Sequence, residues 1–399
     1  MGSLGRVSFQ PLHGIRIVDL TSSLAGPTCT EILGGLGAEV VKVEHPGRGD
    51  EAREWGPRFF PGGSVMFFAA NRSKRSLALD FTDERGKDAL LRLIAGADVV
   101  VQSMRAGSAE RHGLGSEELR ARHPGLVYCS IEAFGPSGPL AESPGYDPLM
   151  QAFAGLLSIT GEPDRPGVRV GASVIDIGTG VWAALGIVAA LLERATTGRG
   201  REVGVALFDT ALSLVGYQLA AALQSGVAPG RHGTAFPLIA PYEVFATADG
   251  ELMIAAANDR LFRLLCERIG LTELADDPRF GSNPDRLAHR DELLPPIRAR
   301  LATESSSHWL AALDGIPVAP VQDLVQVGAH PQTRAGGILQ DVDGLEAVAS
   351  PVRIDDERLT HDRPPPRLGE HSAEVLGELG LTAGEIAALA ADGVVGSAP

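Results

Sequence analysis

Asp176 is the residue of this chain best placed to do covalent chemistry. It lies in Gly171-Ala-Ser-Val-Ile-Asp176-Ile-Gly-Thr-Gly180, where an apolar run breaks into a glycine-flanked turn ahead of an amphipathic helix. A carboxylate held between a tight turn and a helix start can serve as a covalent nucleophile. The same position also suits a plain helix N-cap. The glycines after it would let a substrate approach closely and could offer backbone N–H groups to a developing oxyanion. Upstream, Pro144-Gly145-Tyr146-Asp147 supplies a second carboxylate, again with helix capping as the plainer reading. Asn71-Arg72-Ser73-Lys74-Arg75-Ser76 is a dense cationic run. It suits ligand phosphates, or else a solvated loop with scattered ion pairs. Arg105 and Arg111 follow the apolar segment 98–102. That is the carboxyl end of an expected parallel strand, where open α/β sheets take their ligands; a solvated loop is the alternative there too.

Several other chemistries find no support. A dinucleotide fingerprint needs G-x-G-x-x-G after the first strand, and residues 21–27 hold only Gly26. Gly171-Ala-Ser173-Val-Ile175 lacks the second glycine of a G-x-S-x-G elbow, so Ser173 reads as a strand or turn residue. His112, His232 and His371 lie in expected loops without metal-ligand spacing, so no metal is expected. The three cysteines, Cys29, Cys129 and Cys266, form no C-x-x-C pair. They are expected as reduced thiols of a cytoplasmic protein. A net charge of −15 over 399 residues argues against nucleic-acid or membrane-surface partners. Neither a signal segment nor an apolar run long enough to cross a bilayer is apparent.

The elements that must position these residues read as α/β. Ile15-Arg-Ile-Val-Asp-Leu20, a helix from Pro27 to about Gly35 and Glu39-Val-Val-Lys-Val-Glu44 form a βαβ unit, which predicts a parallel sheet. A helix over 84–95 and strands at 98–102 and 126–131 continue it. Long helices are expected over about 178–197 and about 208–224, from apolar residues at helical spacing. Tyr242 to Ala255 reads as two strands joined at Asp249-Gly250, opening a smaller α+β domain. The expected division is 1–205 for the first part of a large domain, 206–225 for a linker helix and 226–325 for the small domain. Residues 326–399 would return to complete the large domain.

The order and spacing of these segments resemble the class III CoA-transferases, the family of formyl-CoA:oxalate and carnitine CoA-transferases, with the α-methylacyl-CoA racemases as a branch. The segments are Pro11 to Thr21, Ala25-Gly-Pro27, Leu36 to Glu44, Lys74-Arg-Ser76, Pro144 to Asp147, the Asp176 segment, Thr197 to Arg201, Gly315 to Pro320 and Leu368-Gly-Glu-His371. The resemblance implies a Rossmann-like large domain, a small domain and an interlocked homodimer. It implies a reaction in which Asp176 attacks an acyl-CoA thioester and CoA passes to a carboxylic acid, with CoA as part of the substrate and no tightly bound cofactor.

Carried over position by position, the resemblance places CoA against Ala25, His45, Leu79, Ser103, Met104 and Arg111. Arg75 and Arg105 join them as cationic candidates, and Tyr146 and Asp147 as substrate contacts. Leu79 and Arg111 keep the residue type of the oxalate enzymes. His45, Ser103 and Met104 depart from it, as does Leu24 where those enzymes carry a glutamine. Gly233-Thr-Ala-Phe-Pro237 stands in place of their glycine-rich loop. These departures speak against oxalate as acceptor and for a larger or less polar acyl group. The racemase branch resembles Gly-His-Asp where this chain has Gly145-Tyr146-Asp147; a phenol is a poor base at neutral pH, which favours transfer. The alternatives are an α-methylacyl-CoA epimerase and a non-catalytic CoA-binding paralogue or subunit of a heteromeric transferase.

Overall fold

The structure, a computed structural model, describes residues 9–60, 62–361 and 363–396; the outermost ends of the expected first and last segments lie outside them. Its chain contacts define two compact units. The first takes in the chain up to Leu156, Val170–Leu223 and the chain from Gln332 onward. The second takes in Leu157–Arg169 and Gln224–Pro331. The short excursion Leu157–Arg169 contains the polar, Gly- and Pro-rich stretch Thr160-Gly-Glu-Pro-Asp-Arg-Pro-Gly167, and the expected division does not set it apart.

The first unit is built on a seven-stranded sheet. Its order is Val395–Gly396, Lys74–Leu79, Glu39–Glu44, Arg16–Leu20, Val99–Gln102, Val127–Glu132, Glu202–Ala206. Six strands pair in parallel, and Val395–Gly396 closes one edge antiparallel to Lys74–Leu79. The parallel strands follow the Rossmann order, which reverses direction between Arg16–Leu20 and Val99–Gln102. Crevices at such a reversal, beyond the carboxyl ends of the strands, are where these sheets bind ligands.

Alternation along each strand builds two cores. Ile17, Val40, Val99 and Val127 face helices Ala25–Gly35 and Val174–Thr197, meeting Cys29, Leu33, Ala183 and Ile187. Val18, Val41, Leu77 and Val100 face the other way. They meet Leu90 and Ile94 of helix Glu84–Ala95 and Val375 and Leu376 of helix Ser372–Glu378.

Two expectations about helices are corrected. Helix Val174–Thr197 starts four residues earlier than its apolar spacing indicated, and its 24 residues are long and apolar enough to cross a membrane. It earns that composition partly by lining the core with Ile175, Ala183, Ile187 and Ala190. The single helix expected over about 208–224 is two, Leu207–Leu214 and Gly216–Ser225, parted at Val215.

The second unit centres on an antiparallel sheet of Tyr242–Ala246, Glu251–Ala255 and Val318–Pro320. The first two join through Asp249-Gly250, where Thr247 N donates to Gly250 O at 2.9 Å. Phe245, Leu252, Phe262, Leu265 and Trp309 fill its core.

Candidate active site

Asp176 sits in the first turn of helix Val174–Thr197, not at its cap; Ser173 holds the N-cap position and makes no side-chain capping bond. The cap comes from elsewhere. Asp147 Oδ2 accepts from Ile175 N at 2.7 Å and from Asp176 N at 3.3 Å. Asp147 therefore does not cap its own helix, Asp147–Phe153, but the one that carries Asp176. Such a cap stabilises a helix by about 1 kcal/mol. Asp147 is 1% exposed. Gln151, one turn on, donates to Asp147 Oδ1 at 2.6 Å and accepts from Val170 N at 2.8 Å. Gln151 and Asp147 thus pin the start of the helix over a short, buried path.

Burial and the nearby Asp147 charge push the Asp176 carboxyl up to about 7. A carboxylate with reduced hydration is a better nucleophile than one in water. The glycines that follow do not serve an oxyanion, because Gly178 and Gly180 lie inside the helix and their N–H groups belong to its ladder. Gly180 instead permits a close crossing. A Cβ there would stand 2.7 Å from Ala25 O and 2.8 Å from Thr28 Cβ. Helix Ala25–Gly35 and the Asp176 helix meet at that point.

The loop ahead of helix Ala25–Gly35 rests on buried ions, on the sheet face that carries Ile17 and Val40. Asp19 Oδ2 lies 3.1 Å from Lys74 Nζ, and both side chains are fully buried. Thr21 and Thr30 hydroxyls donate to Asp19 at 2.5 and 2.6 Å. Burial pushes the Asp19 carboxyl up, but Lys74, Lys42 and the two hydroxyls outweigh it and hold it well below the usual carboxylate range. Burial also pulls Lys74 down to about 8, against the attraction of Asp19. Lys42 Nζ donates to Thr21 O at 2.8 Å and pairs with Asp50 at 2.8 Å.

Asp50 Oδ1 accepts from Ser23 N at 3.0 Å and from Ala52 N at 2.9 Å. Ser23 has φ 69°, a left-handed backbone that costs a non-glycine residue about 1–2 kcal/mol. Its hydroxyl donates to Glu51 at 2.6 Å, and the Tyr146 hydroxyl donates to the same oxygen at 3.4 Å. The Glu51 charge and partial burial raise the Tyr146 phenol above its ordinary range, so it is further from being a base than a free tyrosine.

The other candidates fall into two places. Ala25 opens helix Ala25–Gly35. His45 follows Glu39–Glu44, Leu79 ends Lys74–Leu79, and Ser103, Met104 and Arg105 follow Val99–Gln102. All are at the carboxyl edge of the sheet, and Ser22 N donates to Ser103 Oγ at 3.3 Å across the reversal point. Arg111 ends the short helix Ser108–Arg111 beyond it.

The cationic run is not a solvated loop, since its three cations are each paired with carboxylates. Arg72 pairs with Glu31 at 2.5 Å, Lys74 with Asp19, and Arg75 with Glu374 and Glu378 at 2.9 and 2.7 Å. Arg75 lies near the amino end of its strand. There it lines a cavity of about 490 Å³ with Arg16, Arg363 and Glu39, so the structure does not bring it together with the group around Asp176. Glu51, Ser23 and Gln151 went unnoticed in the sequence. Only the acidic Asp50-Glu51 pair after a glycine marks the first of them. Among the described residues, no group of three or more His, Cys, Asp or Glu side chains could hold a metal ion.

The profile described as CoA-transferase family III matches residues 12–372. A succinate–glutarate CoA-transferase of Agrobacterium fabrum is 38% identical, over 92% of this chain and 96% of its own. An acetyl-CoA:oxalate CoA-transferase of Acetobacter aceti is 39% identical, over 91% and 94%. A crystal structure of a CAIB/BAIF family protein from Brucella suis superposes with a TM-score of 0.84 at 40% identity, covering 93% of this chain and 99% of that one.

Proposed function

The chain belongs to CoA-transferase family III and is a CoA-transferase, and from that premise we propose that Asp176 is its covalent centre. In this reading an Asp176 oxygen attacks the donor thioester carbonyl, the C–S bond breaks and CoA leaves as thiolate. An acyl-aspartyl anhydride remains. The thiolate attacks the aspartyl carbonyl of that anhydride, releasing the donor acid and leaving an aspartyl-CoA thioester. The acceptor carboxylate then attacks this thioester, expelling CoA thiolate and forming a second anhydride. The thiolate attacks its acceptor carbonyl, giving the new acyl-CoA and restoring the Asp176 carboxylate. Capture on the enzyme divides one difficult exchange into easier steps. Positioning and reduced hydration supply the reactivity that a carboxylate lacks in water.

The observation that carries this reading is the Asp147–Asp176 arrangement: a raised carboxyl in the first turn of a helix whose start is pinned by a buried partner. The raised Tyr146 phenol supports transfer over epimerisation. The relatives' names pair succinate or succinyl-CoA with glutarate and acetyl-CoA with oxalate; with the departures from the oxalate enzymes, this supports a dicarboxylate larger than oxalate, such as glutarate, as acceptor and an acyl-CoA such as succinyl-CoA as donor. Ala25, His45, Leu79, Ser103, Met104, Arg105 and Arg111 would hold CoA along the carboxyl edge of the sheet. CoA enters as substrate, with no resident cofactor. Two copies would form the interlocked homodimer, in the cytoplasm, where three buried free cysteines stay reduced.

The test is mass spectrometry of the enzyme after incubation with succinyl-CoA and glutarate, with hydroxylamine as trap. The expected result is CoA or hydroxamate on the peptide bearing Asp176, with Asp176→Asn slowing transfer by roughly 10³-fold or more. Transfer without any modification of Asp176 would overturn the assignment.

A further inference from the structure

The loop 21–24 meets Ser103 and Glu51, and the helix it leads into meets the Asp176 helix. Ser22 N reaches Ser103 Oγ at 3.3 Å. Ser23 Oγ reaches Glu51 at 2.6 Å, beside the Tyr146 hydroxyl. The helix that follows the loop crosses the Asp176 helix at Gly180. Yet the loop is not held by packing alone. Ser23 is in a left-handed conformation with φ 69°, which a serine keeps only when its surroundings impose it. The imposing group is Asp50. One carboxylate oxygen takes Ser23 N at 3.0 Å and Ala52 N at 2.9 Å, the latter fixing the turn that carries Glu51. The other pairs at 2.8 Å with Lys42, whose side chain is fully buried and which also donates to Thr21 O at 2.8 Å.

A buried ion pair is poor value as stabilisation, since apolar residues of the same volume often serve as well. What it offers is fixed geometry. We propose that Asp50 is a positioning residue of the transfer reaction: anchored by Lys42, it holds Ser23 and Glu51 so that the loop meets Tyr146 and the Asp176 helix in one arrangement. Asp50 touches neither acyl group nor CoA in this role. The inference rests on Asp176 being the nucleophile.

Two pairs of variants test it in the full-length enzyme. Asp50→Asn keeps an oxygen that can accept from Ser23 and Ala52 but turns its amide NH2 toward Lys42 and loses that anchor; Asp50→Leu has similar volume and neither the acceptor nor the anchor. Ser23→Gly relaxes the left-handed backbone, and Ser23→Val resists it without touching the buried ions. The readouts are kcat, KM for acyl-CoA, the rate and final extent of Asp176 modification in a single turnover, and the folded fraction by circular dichroism.

Ser23→Gly is expected within about threefold of the parent kcat, and Asp50→Asn, with the acceptor kept and the Lys42 anchor lost, between the parent and Asp50→Leu. Asp50→Leu and Ser23→Val are expected folded, with kcat down about tenfold or more and KM shifted less than about threefold; a tenfold change equals about 1.4 kcal/mol in the barrier. Their Asp176 modification would be slow but reach full extent. Equal kcat within each pair, or losses that only track the folded fraction, overturns the proposal. If Asp50→Leu does not fold, the serine pair decides. Parent enzyme that transfers CoA without modifying Asp176 refutes the underlying reading instead, so that measurement comes first.

Discussion

At the residue scale, Asp176 keeps its proton up to about pH 7, because burial and the Asp147 charge both disfavour its ionised form. A nucleophilic carboxylate must be ionised, so a raised value moves the acid limb of activity upward from the ordinary carboxylate range. The expected kcat/KM profile falls about tenfold per pH unit below a midpoint near pH 7. Asp147→Asn keeps an oxygen to accept from Ile175 N and removes the charge. Its limb is expected at lower pH, by up to about one unit. A profile from Asp147→Asn that overlies the parent's would show that the neighbouring charge does not set the limb. Much of this was legible in part: Asp176 and Asp147 stood out as carboxylates near helix starts. Which helix Asp147 caps was not, since the bond from Ile175 N to its carboxylate spans residues that only the fold brings together.

At the scale of elements, the crossing of helices Ala25–Gly35 and Val174–Thr197 sets where Asp176 stands. Gly180 is the contact. A methyl added there meets Ala25 O at 2.7 Å, whereas one added at Gly204 meets nothing within 4 Å. Gly180→Val is expected to destabilise by about 1–3 kcal/mol in urea unfolding, with activity lost in step. Gly204→Ala is expected near neutral in both. Strands were easy to find in the sequence, because those buried on both faces read as apolar runs, as in Glu39–Glu44 and Val99–Gln102. Their charged members misled. Lys74 reads as part of a cationic run for phosphates or solvent and Lys42 as one charge within a strand, but Lys42 is buried against Asp50, 8 positions away, and Lys74 against Asp19, 55 positions away. The Lys74–Asp19 pairing, at that range, leaves no local pattern. The helix start at Val174 was missed for a related reason, since its cap lies in another segment.

At the scale of the whole molecule, helix Val174–Thr197 has one face in the core and another open. Val181, Trp182 and Leu185 are 49%, 49% and 56% exposed, and Leu192 is 75% exposed. A contiguous apolar face of this kind marks an interaction surface, in keeping with the homodimer proposed above. Light scattering is expected to give twice the chain mass. Leu185→Asp is expected to yield monomer or aggregate, with loss of transfer. A dimer unchanged by Leu185→Asp would place the interface elsewhere.

The buried ties at Asp147 and Gln151 have a consequence for how the chain can be altered. Between them and Val170 the backbone leaves for the second unit over Leu157–Arg169 and comes back. The bonds from Val170 N to Gln151 and from Ile175 N to Asp147 close the neck of that excursion. With the neck closed, the length of the excursion is uncoupled from the placement of Asp176. Lengthening a flexible loop is thermodynamically cheap, about 0.6 kcal/mol for each doubling. The turn near Asp164 is therefore a site where extra residues could be spliced in while the reacting carboxylate keeps its register.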